Sequence, residues 1–392
     1  MKLRSYLFLA AISCAVLALP AWTARRPRYG GILRMEISTS LNALNPSTAL
    51  NPAITLNRGA DSPENQVPTL FDPRTAAGNL VSSGARGPFR VVEWEAGRHA
   101  KLVVNSEYSA GRPFVDEIEV ELGRSTKDRL IDLELGKTDL AELAPEDARR
   151  TAGNGVHISA SSPDELIAIV FVSGHSLVED ARVRQSLAFA IDRPSIANFI
   201  LQKEGEAAGG LLPQWSSGTA FLFPTAANPT AAKEQWSQIR GSPKISVGYD
   251  AGDGLEQAIA ERIAVNARET GIAVATLPVT PWPAASPKVD ARLVRLRMSS
   301  PKPSEALADF LSTLSPVAGV KFDLPPDNAA PQAIYECELA VVSSYRVIPL
   351  VWLPQVYGLS SRVRDWNAPG PGEDWPLADV WLDDSASPSG LK

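Results

Sequence analysis

Two arginines, Arg295 and Arg297, alternate with Leu296 and Met298 at the end of an apolar run. On a strand, alternate residues point to the same side, so both guanidinium groups share one face. Arginine suits bidentate recognition of a carboxylate or phosphate; the plainer reading of the pair is a solvated strand face. The stretch Arg295 to Pro303 carries no carboxylate, and Lys302 adds a third cation. Ser299 and Ser300 complete this polar patch. Trp282, between Pro281 and Pro283, is a stiff aromatic that could stack on a solute or pack on its own domain. Catalysis has less to work with. The three histidines, His99, His157 and His175, are far apart and show no metal-ligand spacing. Cys337 reads as a small buried residue, and no nucleophile-elbow or HExxH pattern occurs. The expectation is binding rather than catalysis, with no cofactor and no metal.

The elements that position these residues follow from periodicity. Ile245 to Tyr249 forms a strand, Leu255, Ile259, Ile263 and Ala267 share one helical face, and Ile272 to Leu277 forms the next strand. Such a βαβ unit places two parallel strands side by side, and Arg292 to Met298 adds a further strand. Upstream, Tyr29 to Ile37 is a turn feeding a strand. Phe89–Trp94 and Ala100–Asn105 flank a hairpin turn, and Ile118–Leu122 alternates apolar with acidic residues. Trp94 and Trp352 read as core. Ser125 caps a helix that Gly136 ends. Leu166 to Val172 is a buried strand leading out of the first lobe. Asp180 to Leu201 is a helix interrupted at Pro194, Ala330 to Val342 a helix, and Ile348 to Leu353 a strand returning to the first lobe. Residues 41–87 read as loops, and the segment after Trp366 as a tail draped over the surface.

The 392 residues suffice for two lobes. With 38 basic against 44 acidic residues, the chain has no electrostatic footprint for nucleic acid. Lys2 and Arg4, the apolar stretch Tyr6 to Leu19 and the small residues Ala21 and Ala24 form an export signal over residues 1–24. Cys14 is a poor lipid-attachment site because the apolar run continues past it. The mature chain then keeps one of two cysteines, so no internal disulfide can form.

Several islands occur in one order: Tyr29 to Arg34, Leu41 to Pro46, Gly87 to Trp94, Asn105 to Tyr108, Gly111 to Ile118, Leu135 to Ala141, and DARVRQSLAFAIDR from Asp180 to Arg193. Together they resemble the family 5 extracellular solute-binding proteins, the dipeptide-, oligopeptide- and nickel-binding components of ABC importers. The resemblance implies an α/β, two-lobed periplasmic-binding-protein-like fold of type II, peptide-binding class, with a reduced first lobe. Expected boundaries are 25–175 for the N-terminal part of the first lobe, 176–340 for the second lobe, and 341–392 for the return and tail. It also implies a monomeric periplasmic or extracytoplasmic protein that captures a peptide-like or other small solute between the lobes and docks on a permease. The alternative is a degenerate relative acting as a non-transport sensor or partner-binding subunit. By the same resemblance Trp215, after a loop like the family's cleft edge, and Trp282 are candidate ligand contacts beside Arg295, Arg297, Ser299 and Ser300. Two departures stand out: material is missing between Asn45 and Gly84, and the family's amine-holding aspartate is replaced by the cationic stretch from Arg295. An anionic or neutral solute is therefore at least as well suited as a peptide.

Overall fold

The computed structural model describes residues 26–38, 88–95, 98–154, 156–218, 223–241, 243–280, 288–373 and 375–383. The export signal with Cys14, the 41–87 loops and Trp282 lie outside them, as does the side chain of Trp94. Two sheets organise the chain. The first is seven-stranded, in the order β2-β3-β4-β1-β5-β13-β6. It is built from β1 (Ile32–Ile37), β2 (Phe89–Glu95), β3 (His99–Val104), β4 (Glu117–Leu122), β5 (Leu140–Leu143), β6 (His157–Ala160) and β13 (Val356–Leu359). Two helices, α1 (Thr126–Glu134) and α2 (Ala148–Gly153), accompany it. The sequence logic of α1 holds: the Ser125 side chain accepts from the Asp128 N–H, and Gly136 takes φ +68° just past the end.

The second sheet has six strands in the order β10-β9-β11-β7-β12-β8. They are β7 (Glu165–Phe171), β8 (Glu206–Ala207), β9 (Lys244–Asp250), β10 (Ala273–Val279), β11 (Ala291–Arg297) and β12 (Val347–Leu353). Its helices are α3 (Ala181–Ala190), α4 (Pro229–Ser237), α5 (Gly254–Glu269), α6 (Pro303–Ala318) and α7 (Pro331–Ser343). Strands β9 and β10 pair in parallel around α5, as the βαβ pattern requires. Strand β11 sits mid-sheet, parallel to β9 and antiparallel to β7.

Strands β7 and β12 were expected on the first-lobe side and instead lie at the centre of the second sheet. The reason is their composition. Ile167, Ile169 and Phe171 of β7 enter one core with α3 and α5, while Leu166, Ala168 and Val170 enter another with α6 and α7. A strand apolar on both faces needs both faces covered, and this sheet has helices on each side. Trp352 is buried there, its ring 6.2 Å from that of Phe310.

The tail is also different from expectation. Trp366, Leu377, Val380 and Leu382 are buried against Leu33, Ile118 and Tyr357 of the first sheet. Rings of Tyr357, Trp366 and Trp375 stand edge-to-face at 5.1–5.6 Å. The Pro and Gly content set the backbone path, but the aromatic residues between them supply a core layer.

Candidate functional site

The chain crosses between the sheets twice, between β6 and β7 and again between β12 and β13, and the two crossings are stitched together. Asp164 N donates to Leu353 O at 3.0 Å, and Ser161 N to Gln355 O at 3.0 Å. Gln355 Nε2 donates to Asp164 Oδ2 at 2.5 Å, and the Tyr357 hydroxyl donates to Gln355 Oε1 at 2.9 Å. Burial pushes the Asp164 carboxyl up to about 7, against the opposing pull of Arg297.

Arg295 and Arg297 reach this junction because β11 ends here, paired with the start of β7: Arg297 lies opposite Glu165 and Arg295 opposite Ile167. Their shared face is only partly solvated. The Arg297 side chain is 10% exposed and that of Arg295 33%. Arg295 lies 3.6 Å from Glu165 and 3.3 Å from Asp253, and Arg297 lies 4.0 Å from Glu165. Asp253 has two tasks. Its Oδ1 caps α5 by accepting from Leu255 N and Glu256 N at 2.9 and 3.1 Å, while Oδ2 faces Arg295. Burial would raise the Glu165 carboxyl, but Arg295 and Arg297 outweigh it and hold it below the usual range. Burial alone dominates at Glu256, which rises to about 7 while its Oε2 accepts from Asp250 N at 2.8 Å. Burial raises the carboxyl of Glu146, in the turn after β5, and the charges of Arg295 and Asp253 act on it with opposite sign.

The other expected contacts divide. Trp215 stays 44% exposed and donates its indole N–H to Pro163 O at 2.9 Å, so it flanks the crossing. Ser299 and Ser300 turn toward α6: the Ser299 hydroxyl donates to Asp309, and Ser300 Oγ donates to Glu305 Oε2 at 2.6 Å. The residues the arginine pattern did not reveal are their partners Glu165 and Asp253. Asp253 had a legible signal, an aspartate just before an apolar-periodic helix at the carboxyl end of a parallel strand. Cavities of about 420 and 550 Å³ open elsewhere, on the outer helices around Arg184 and Arg346 and around Arg182 and Arg240.

Two mixed sheets joined by paired crossings, with buried charge where they meet, define a two-unit α/β binding-protein architecture. The chain belongs to the bacterial extracellular solute-binding proteins, family 5, matching that family's middle region over residues 40–315. It is 29% identical over 123 residues to the oligopeptide-binding protein AppA of Bacillus subtilis and 30% identical over 138 residues to a probable di/tripeptide-binding protein of Pseudomonas aeruginosa. These alignments take in 31% and 33% of this chain but only 23% and 26% of the relatives, so the chain matches about a quarter of their length. Among solved structures, the substrate-binding protein CtaP of Listeria monocytogenes aligns with TM-score 0.64 at 17% identity, and NikA of Brucella suis in complex with Fe(III)-EDTA with 0.64 at 16%. Both alignments cover 76% of this chain, and 66% and 68% of those chains respectively. The fold is that of the type II peptide-binding class, in a chain shorter than its relatives. Among the described residues no helix is long and apolar enough to cross a membrane.

Proposed function

We propose that this protein is the extracytoplasmic solute-binding component of an ABC importer, capturing a small, peptide-like solute between its two sheet units and presenting it, as a monomer, to a permease. The observation that carries this reading is the charged junction at the carboxyl end of β11. In open α/β sheets, ligands bind outside the carboxyl ends of parallel strands, and here that edge faces the two crossings about which the units would close. Each unit has a core of its own, so closure would leave both sheets intact. The two lobes would then divide at the crossings, residues 161–164 and 353–355, rather than at residues 175 and 340. The relatives named for oligopeptide and di/tripeptide binding support the solute class.

The test is a thermal-shift screen of the purified protein against dipeptides, acidic metabolites, short sugars and metal ions. A solute at 100 times its dissociation constant stabilises the folded state by about 2.7 kcal/mol, a shift of several degrees. The shift should vanish in Arg295→Ala. A flat screen over a cooperative melt overturns solute capture and leaves the sensor or partner-binding role.

A further inference from the structure

Arg184, the second arginine of the Asp180–Arg193 stretch, takes no part in the junction. It is 7% exposed, and its guanidinium donates to main-chain carbonyls. Nη1 reaches Val178 O at 2.7 Å and Glu179 O at 3.0 Å, while Nε and Nη2 reach Ser344 O at 3.3 and 3.2 Å. A carbonyl satisfies an N–H but carries no full charge, and a buried charge is ordinarily paired. The two carboxylates that act on Arg184, Glu179 and Asp180, are claimed by other arginines. Glu179 grips Arg346 through both oxygens, and Asp180 pairs with Arg182 at 2.6 Å. Burial, and after it the Arg346 charge, push the Arg184 guanidinium below its ordinary value.

Arg184 lines the cavity of about 420 Å³ between the start of α3, the loop after α6 and the end of α7. Arg346 and Lys321 line it as well, against a single carboxylate, Asp323. With Arg346 balanced by Glu179, the two cations Arg184 and Lys321 face that one carboxylate, an excess of one positive charge. Phe322, Val341 and Tyr345 add apolar wall. Tyr345 takes φ +53° just past the end of α7, where glycine is usual. Its ring packs edge-to-face on Phe189 at 5.6 Å and closes a side that glycine would leave open. We propose that this cavity is a second binding site, separate from the junction, for a small organic monocarboxylate. The carboxylate meets Arg184, Arg346 and Lys321, whose arginine forks match its two oxygens, and an apolar body lies on Phe322, Val341 and Tyr345. A dianion would exceed the charge that the wall supplies, and a second carboxylate would meet Asp323. Cys337 reports on occupancy: it lines the same cavity, and its Sγ donates to Asp323 O at 3.1 Å. The site lies wholly in the second unit, so its loading does not depend on solute capture at the junction.

The experiment is calorimetric titration of the full protein with benzoate, benzyl alcohol and benzylamine, which share a ring and differ in charge, and with octanoate as a second carboxylate. Benzoate and octanoate should bind with Kd below about 1 mM, and the alcohol and the amine at least about tenfold more weakly than benzoate. Arg346→Gln should weaken benzoate by about tenfold or more. Lys321→Gln, which removes an exposed cation and disturbs no core, should weaken it by about threefold. Lys127→Gln, exposed on α1 of the other unit, should keep the wild-type affinity. Benzoate at about ten times its Kd should slow N-ethylmaleimide modification of Cys337, followed by peptide mass, by about tenfold, because labelling tracks the unoccupied fraction. Lys321→Gln and the labelling rate decide the matter if Arg346→Gln does not fold. Failure of both carboxylates to bind, benzyl alcohol binding as tightly as benzoate, a wild-type affinity in Lys321→Gln, or full-rate labelling of Cys337 under saturating benzoate overturns the proposal. None of these outcomes bears on solute capture, which the wider screen and Arg295→Ala test separately.

Discussion

The two sheets solve the same burial problem in different ways. The second is a three-layer arrangement: β7 sends alternate residues into separate cores, each closed by helices. The first has one large core, on the face carrying Leu33, Met35, Ile118 and Val120, and that core is closed by the tail from Trp366 to Leu382. Among the described residues, a small cluster around Leu130, Leu133 and Val356 covers its other face. The helices that close the second sheet lie in sequence between its own strands β7 and β12. A sheet covered by a chain end depends on residues more than 250 positions from its first strand, and their loss removes a whole layer.

The largest effect should follow from breaking that layer. Trp366 is 4% exposed and packs edge-to-face on both Tyr357 and Trp375. Trp366→Ala is expected to cost about 3–5 kcal/mol in urea unfolding. Hydrogen exchange should locate the damage: β1 and β4 lose protection, while β7 and β12 keep theirs. Equal loss in both sheets would mean that the two cores melt as one and would undo the contrast.

A second test acts on the helix-covered sheet. Glu338 of α7 is 2% exposed and its Oε1 accepts from Leu211 N at 2.5 Å and Leu212 N at 2.8 Å, tying the loop that carries Trp215 to the helix layer. Burial pushes its carboxyl up to about 7, as it does those of Glu256 and Asp164. The folded state therefore keeps protons that the unfolded chain releases near pH 4 to 4.5. The stabilisation is complete below the unfolded value and is lost as pH rises through about 7. Urea midpoints should fall between pH 5 and pH 7.5. Glu338→Gln keeps an acceptor oxygen but cannot ionise, so it should reduce that loss by about 1–3 kcal/mol. A variant with the wild-type pH slope would remove Glu338 as a contributor.

How much of this was legible in the sequence follows from where the information sits. The parallel pairing around α5, the Ser125 cap and the β2–β3 hairpin are local patterns, and their residues declare them. The sheet membership of β7 and β12 was not local: a run such as Leu166 to Phe171 announces a doubly buried strand but not which sheet will bury it. The tail's role was hidden because proline and glycine obscured four apolar anchors. At the site, the arginines of β11 were visible by alternation. Their meaning was not, because Glu165 and Asp253 arrive from two other elements, and a cation's role depends on which carboxylates the fold sets beside it.

The smallest expected effect probes whether the tail also touches the second unit. Gly372 has φ +67°, and a Cβ there would stand 2.8 Å from the backbone oxygen of Ser299, at the exit of β11. Gly136 has φ +68° with nothing within 4 Å of its Cβ position. The two glycines therefore share one backbone penalty, about 1–2 kcal/mol for an L-residue in the left-handed region, and differ only in the contact. Gly136→Ala should show that penalty alone. Gly372→Ala should exceed it, since the clash is with backbone that cannot swing aside, and it should also weaken solute-induced stabilisation by pushing the tail away from the β11 exit. Equal costs for the two variants, with solute response unchanged, would mean that the tail serves only the first sheet's core and takes no part in the approach of the two units.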